Sequence, residues 1–144
     1  MSELFSIRDA RADDMGLIDA YAQAEGMDVM PGPERIRVAV NDDDVAVGFC
    51  RLQDDEGGIA YVNPIVTYAP WRGYGVGRAL IEDARTIAGE LRLVSRGTSE
   101  GFYRKLGFEP MPWNEVDLKA ASEDCDNCPY RADCGPVPMR LRNK

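Results

Sequence analysis

Gly73, Gly75 and Gly77 stand at alternate positions between an apolar run ending Pro64-Ile65-Val66-Thr67 and a helical pattern that opens at Val76. Glycine lets the chain fold tightly enough for successive N–H groups to converge, and a following helix adds its partnerless first donors and positive dipole end. The chemistry such spacing serves is anion binding, with a pyrophosphate as the natural occupant. The order of these glycines is not the dinucleotide fingerprint G-x-G-x-x-G, and no Lys-Ser/Thr pair follows as a P-loop requires. Both common nucleotide readings therefore weaken.

A second group is Cys125-Asp126-Asn127-Cys128, with Cys134 after five further residues in a stretch rich in turn formers. A C-x-x-C spacing folds two sulfurs onto one centre, as a metal ligand pair or a redox pair needs. Cys125, Cys128 and Cys134 are thus candidate ligands for zinc or an iron–sulfur cluster, alongside the alternatives of a disulfide and of free structural thiols. A closed zinc site wants a fourth ligand, and the chain has no histidine. Cys50, Asp126 or Asp133 could complete the set, although Cys50 lies in a strand pattern where a small apolar thiol is ordinary packing.

Short elements must carry these groups. Phe5-Ser6-Ile7-Arg8 alternates as an opening strand. Asp13 or Asp14 is placed to cap a helix with Leu17, Ile18, Tyr21 and Ala22 on one face, ending near Gly26. Met27 to Pro33 breaks the helix; it is either one wall of an acceptor pocket or an ordinary surface loop. Ile36, Val38 and Val40, then Val45, Val47 and Phe49, alternate around an Asn41–Asp44 turn, which predicts a hairpin with one buried face. A turn at residues 54–58 leads into a strand over Ile59–Thr67, and Pro64 and Pro70 bracket a segment that cannot sustain a regular ladder on both sides. Val76, Leu80, Ala84 and Ile87 recur at helical spacing up to about Gly89, and Leu91–Ser95 is the next strand. Strand, helix, strand in this order implies a right-handed parallel crossover with the glycine loop at the carboxyl edge of the sheet. A short helix from Thr98 or Ser99 to Leu106 stops at Gly107, and a closing strand falls around Val137–Leu141.

Arg72-Gly73-Tyr74-Gly75-Val76-Gly77 fits the pattern R/Q-x-x-G-x-G/A, and Gly101-Phe102-Tyr103-Arg104-Lys105-Leu106-Gly107-Phe108 follows after one helix and one strand. Together they resemble the coenzyme A loop and the downstream "fYeklGF" signature of the GCN5-related N-acetyltransferases (GNAT), over roughly Leu4 to Glu109. The resemblance implies an α/β fold with a central mixed, mostly antiparallel sheet splayed between strands 4 and 5 and helices on both faces. It places an acetyltransferase-like domain at residues 1–118 and a cysteine-containing extension, with a closing strand of the same domain, at 119–144. Acetyl-CoA is then the co-substrate. Arg72, Gly73, Tyr74, Gly75, Val76, Gly77 and Arg78 are expected at its pyrophosphate, and main-chain groups of Ile65, Val66 and Thr67 at its pantetheine amides.

The same resemblance implies direct attack of an amine on the thioester through a tetrahedral intermediate, with one main-chain N–H of that strand holding the oxyanion. Tyr103 matches the family's tyrosine, a phenol suited to return a proton to the coenzyme A sulfur. The base stays open. Tyr61 stands where histone-type members have glutamate, and Arg96 stands where N-terminal acetylating members have asparagine. A water wire ordered by Tyr61 and Asn63, a carboxylate of the Asp54–Glu56 turn, and Glu100 are the candidates. A coenzyme A-binding redox or metal sensor is the competing reading, and a nucleotide-dependent oxidoreductase using Arg96 for a 2′-phosphate is a third.

The chain of 144 residues carries a net charge of −8 with pI near 4.6, which speaks against a nucleic-acid surface and favours a cationic amine acceptor. Its longest apolar runs fall short of the roughly 20 residues that span a bilayer, and Met1-Ser2-Glu3-Leu4 lacks signal-peptide character. The expectation is a cytoplasmic protein without membrane contact, monomeric or homodimeric.

Overall fold

The computed structural model describes residues 4–55, 57–95, 99–117 and 136–142. Its strands are β1 (Ser6–Asp9), β2 (Ile36–Val40), β3 (Ala46–Asp54), β4 (Ala60–Thr67), β5 (Glu90–Ser95), β6 (Glu109–Pro110) and β7 (Val137–Arg142). They form a seven-stranded sheet in the order β1-β2-β3-β4-β5-β7-β6. Pairing is antiparallel at β1–β2, β2–β3, β5–β7 and β6–β7, and parallel at β4–β5, so the sheet is mixed as expected. Two compact units divide the chain: Met1–Leu52 with Pro64–Thr86, and Gln53–Asn63 with Ile87–Lys144.

In the first unit, helix α1 (Met15–Ala24) and helix α2 (Val76–Arg85) cover opposite faces of β2 and β3. Ile18 and Ala22 of α1 pack with Ile36, Val38, Val40, Phe49 and Val66 in one cluster. On the other face Arg37 of β2 reaches α2, donating to both carboxylate oxygens of Asp83 at 2.8 and 2.9 Å. Cover on both sides explains why Ala46 through Cys50 are all buried, against the expected single buried face, while Val45 is exposed at the turn. The β2–β3 register also slips between Ala39 and Val40: Ala39 faces Gly48, and Val40 faces Ala46, leaving Val47 in a bulge.

Helix ends follow local chemistry. The Asp14 carboxylate does not cap α1; it turns back to accept from the Arg11 N–H at 2.7 Å and from Arg8 at 2.8 and 3.1 Å. Arg8 holds that carboxyl below the ordinary carboxylate range. Gly26, at φ +79°, ends α1 with the Met27 N–H bonded to Ala22 O and its own N–H to Gln23 O, a Schellman closure. Leu17 is exposed rather than on the buried face. Helix α2 stops at Arg85, short of the expected Gly89, because the Thr86 hydroxyl and N–H both donate to Asp83 O, a local bond that competes with the helix. Ile87 is consequently exposed.

In the second unit β5 pairs with β7 along six residue pairs, from Glu90↔Arg142 to Ser95↔Val137. Its parallel pairing with β4 comprises Ala60↔Leu91 and Tyr61↔Arg92. The β3–β4 turn is an Asx turn, Asp55 Oδ1 accepting from Gly57 and Ile59 N–H groups at 2.8 and 3.0 Å. Helix α3 (Ser99–Lys105) and the short strand β6, which the sequence does not announce, complete the unit. Among the described residues no helix is long and apolar enough to cross a membrane.

Candidate functional site

The glycine loop lies wholly in the first unit. At the end of β4 the Tyr68 N–H donates to the bulged Val47 carbonyl at 2.9 Å, and Pro70 sets a 3₁₀ turn, Ala69–Trp71. Gly73 and Gly75 then adopt φ +88° and +83°, conformations that L side chains rarely take, with open space beside each where a side chain would stand. Gly75 is the N-cap of α2 and no side chain caps the helix. The first intrahelical bond is Ala79 N–H to Gly75 O at 3.0 Å. The N–H groups of Val76, Gly77 and Arg78 precede it, so helix geometry leaves them without an intrahelical acceptor. The loop therefore presents main-chain donors and a dipole end to the outside, which is the arrangement that holds an anion.

The side chains of this loop do other work. The Arg72 guanidinium pairs with Glu25 at the end of α1, a partner no sequence signal announces. Trp71 stacks obliquely on Tyr74, ring centroids 5.5 Å apart, and meets Phe5 edge-on at 6.3 Å. Tyr68 stacks on Tyr21 at 4.9 Å, and the Tyr21 hydroxyl donates to Ala46 O at 2.7 Å. In β4, Val66 is buried in the cluster beneath α1, while Ile65 and Thr67 are half-buried. Met27 and Met30 of the candidate acceptor loop pack against the same cluster, and the Met30 N–H donates to Asp19 at 2.8 Å.

The candidate catalytic side chains belong to the second unit. Tyr103 sits on α3 between Phe102 and Phe108, ring centroids 5.2 and 5.6 Å away. Phe102 is exposed, and Phe108, just past the helix end, is buried. The reason is the cap. Gly107 takes φ +103°, the Phe108 N–H bonds to Tyr103 O at 3.1 Å and the Gly107 N–H to Arg104 O at 3.0 Å, which swings Phe108 inward. The downstream signature is thus a Schellman closure with an aromatic on each side.

Tyr61 is 1% exposed, and its hydroxyl accepts from the Asp117 N–H at 2.9 Å and from Arg92 at 3.3 Å. Asn63 donates to Gln53 Oε1 at 3.1 Å. Tyr61 and Asn63 are close in sequence, Tyr61 bonded to Arg92 and Asp117 and Asn63 to Gln53, while Tyr103 packs with Phe102 and Phe108. Glu100 is paired with Arg104 one turn on, and Asp55 is engaged in its own turn. Arg92, Asp117 and Gln53 were not legible as partners, because each makes its bond through the tertiary fold rather than a sequence motif.

Cys50 is completely buried on β3, and burial pushes its thiol up to about 12. An enclosed thiol of this kind fits the packing role its strand position suggests. Cys125, Cys128 and Cys134 lie outside the described residues, as do Arg96, Thr98 and Glu56.

Comparison with known proteins bears on these motifs. The family model of the acetyltransferase (GNAT) domain matches residues 32–110, which hold both the glycine loop and the Tyr103 signature. Over 83 residues the chain is 40% identical to the peptidyl-lysine N-acetyltransferase YjaB of Escherichia coli (strain K12), covering 56% of this chain and 53% of that protein. The chain thus spans about half the length of that curated relative. An uncharacterised N-acetyltransferase of Chlorobaculum tepidum is 25% identical over 150 residues, 92% of this chain and 93% of its own. Among solved structures, Rv2747 from Mycobacterium tuberculosis, in complex with CoA and NLQ, superposes with TM-score 0.75 at 15% identity, covering 96% of this chain and 99% of that one. Naa50 of Arabidopsis thaliana, in complex with the bisubstrate analogue CoA-Ac-MVNAL, gives 0.67 at 21% identity, covering 97% and 99%. At these identities the two structures speak for the fold.

Proposed function

The chain belongs to the GNAT family of acetyltransferase domains, and from that premise we propose that it moves the acetyl group of acetyl-CoA onto a primary amine. The observation that carries the reading is the loop itself: left-handed Gly73 and Gly75 deliver the chain into an uncapped helix whose Val76, Gly77 and Arg78 N–H groups precede the first intrahelical bond. A diphosphate supplies the acceptors those donors lack. In this reading Gly73, Tyr74, Gly75, Val76, Gly77 and Arg78 hold the pyrophosphate through the main chain. Arg72, paired with Glu25, braces the loop and is free to turn to a phosphate only by giving up that partner.

The chemistry then follows from charge. The neutral amine attacks the thioester carbon, a C–N bond forms, and negative charge grows on the carbonyl oxygen. A main-chain N–H of the Ile65–Thr67 segment holds that oxyanion, worth about 3 kcal/mol where such donors have been removed elsewhere. The intermediate collapses, the C–S bond breaks with its electron pair on sulfur, and the Tyr103 hydroxyl protonates the thiolate. The ammonium proton leaves to solvent, and solvent returns one to the Tyr103 phenolate. The Tyr61 hydroxyl, already accepting from Asp117 and Arg92, serves this scheme as an anchor of the sheet, and Asn63 remains the polar candidate for ordering water. Cys125, Cys128 and Cys134 take no part in the transfer.

For the acceptor we propose a lysine side chain in a peptide. The −8 net charge favours a cationic partner, and the relative YjaB carries the name of a peptidyl-lysine N-acetyltransferase. The test is thiol release from acetyl-CoA with a panel of lysine peptides, free amino acids and polyamines. Turnover fastest on lysine peptides is the expected outcome. Coenzyme A binding without turnover on any amine would leave a cofactor-binding module instead.

A further inference from the structure

The start of α2 must sit at one height above the sheet for its donors to meet a diphosphate, and something has to set that height. Gly48 of β3 lies directly beneath it. A Cβ built on Gly48 would stand 2.9 Å from Val76 Cγ1, 3.0 Å from the Val66 carbonyl oxygen and 3.5 Å from Thr67 Cα. The first contact is closer than real Cβ atoms come, and the second is tighter than nearly all of them. Neither neighbour yields easily. Val76 is β-branched, so in a helix it has one strongly preferred rotamer, and Val66 O is main chain. Val76 is the first residue of α2, and Val66 and Thr67 end the strand that feeds the loop.

The neighbouring bulge serves the same end. Because Val40 opposes Ala46 and Ala39 opposes Gly48, Val47 is extra in β3, and its carbonyl accepts the Tyr68 N–H at 2.9 Å just past β4. Bulges re-aim chain segments next to functional sites, and glycine within a strand marks a close backbone approach. Here the two adjacent residues fix both ends of one short connection: Val47 holds the chain as it leaves β4, and Gly48 admits it as it enters α2.

We propose that Gly48 is a positioning residue for the cofactor, its missing side chain setting the distance between the sheet and the first turn of α2 and so the aim of the Val76, Gly77 and Arg78 N–H groups. This rests on the coenzyme A reading of the loop. Gly48 touches no ligand in this account; it acts through Val76 and Val66. A shift of about 1 Å in a binding constellation costs on the order of 100-fold when the constellation is the one that grips the substrate.

The experiment measures coenzyme A affinity by calorimetry, together with KM and kcat for acetyl-CoA, in wild type, Gly48→Ala, Val76→Ala and the Gly48→Ala/Val76→Ala double variant. The expected result is a rise of at least tenfold in Kd and in KM for acetyl-CoA in Gly48→Ala, with kcat and KM for the amine changed less than twofold. The double variant, in which the 2.9 Å conflict is gone, should bind at least threefold tighter than Gly48→Ala. If Gly48→Ala does not fold, a double variant that folds and binds within threefold of Val76→Ala supports the proposal, and one that fails to fold or to bind overturns it. Wild-type affinity in a folded Gly48→Ala overturns it too, as does a loss that Val76→Ala does not relieve. A wild type that ignores coenzyme A defeats the parent reading instead, so the two failures are told apart.

Discussion

Gly75 and Gly107 share a backbone conformation and do opposite things with it. Both are left-handed, at φ +83° and +103°, and both stand at the end of a helix. Gly75 opens the N-terminus of α2 and leaves donors facing outward without a side-chain cap. Gly107 closes the C-terminus of α3, and the Gly107 and Phe108 N–H groups return to Arg104 and Tyr103 carbonyls. One region opens a helix whose first N–H groups have no intrahelical acceptor; the other returns its N–H groups to the helix it closes and carries a side chain beside them. In the proposed reaction the contrast separates two contributions, main chain at the loop and a phenol at the capped helix.

Tyr103→Phe should sharpen that contrast most. Of Tyr103 the helix-closing bonds use the carbonyl, so the variant keeps them while removing the proposed proton donor. A fall of about 100-fold or more in kcat is expected, with KM for acetyl-CoA unchanged, measured by thiol release. An unchanged kcat would move the general acid elsewhere.

Gly75→Val attacks the open region. A β-branched residue at φ +83° is strained by about 1–3 kcal/mol, and relief comes by moving the loop and its donors. Affinity for coenzyme A should drop about 100-fold, read by calorimetry, while thermal unfolding shifts by only a few degrees. Gly107→Ala is its mirror. The same strain applies, and the new Cβ would lie 3.2 Å from Leu141 Cδ1, so the variant should lose about 1–3 kcal/mol of stability in urea. Its folded fraction should bind coenzyme A as wild type does. If Gly107→Ala weakened binding as much as Gly75→Val, the division between the two regions would fail.

A smaller effect belongs to Asp14. Arg8 depresses its carboxyl, so the stabilisation it brings is present above the ordinary carboxylate range near pH 4 and drains away as pH falls through the lowered value. Asp14→Asn should therefore be less stable than wild type at pH 7, and the gap should narrow at a second, acidic pH below the ordinary carboxylate range. Urea titrations at the two pH values check this. A constant gap would mean the loss is one of packing.

Much of this was legible in the sequence because local chemistry dictated it. Gly26, Gly75 and Gly107 sit where only a left-handed residue serves, and the alternation of Ile36, Val38 and Val40 reads directly as a strand. What could not be read was set at a distance. β3 looks half-buried until α1 and α2 close on both sides of it, and Val47 becomes a bulge only through its partner strand. Ile87 fits the helical stripe, yet Thr86 ends the helix first. At the site, the loop was announced by its glycines, whereas Glu25, Gly48, Arg92 and Asp117 act through contacts that join residues far apart in the chain.

The most direct measurement follows the backbone amides of Val76, Gly77 and Arg78 by nitrogen–proton NMR as coenzyme A is added. The account predicts large downfield proton shifts at these amides that saturate together, as donors without an intrahelical acceptor gain phosphate oxygens. Saturable binding that leaves all three amides unmoved would contradict it.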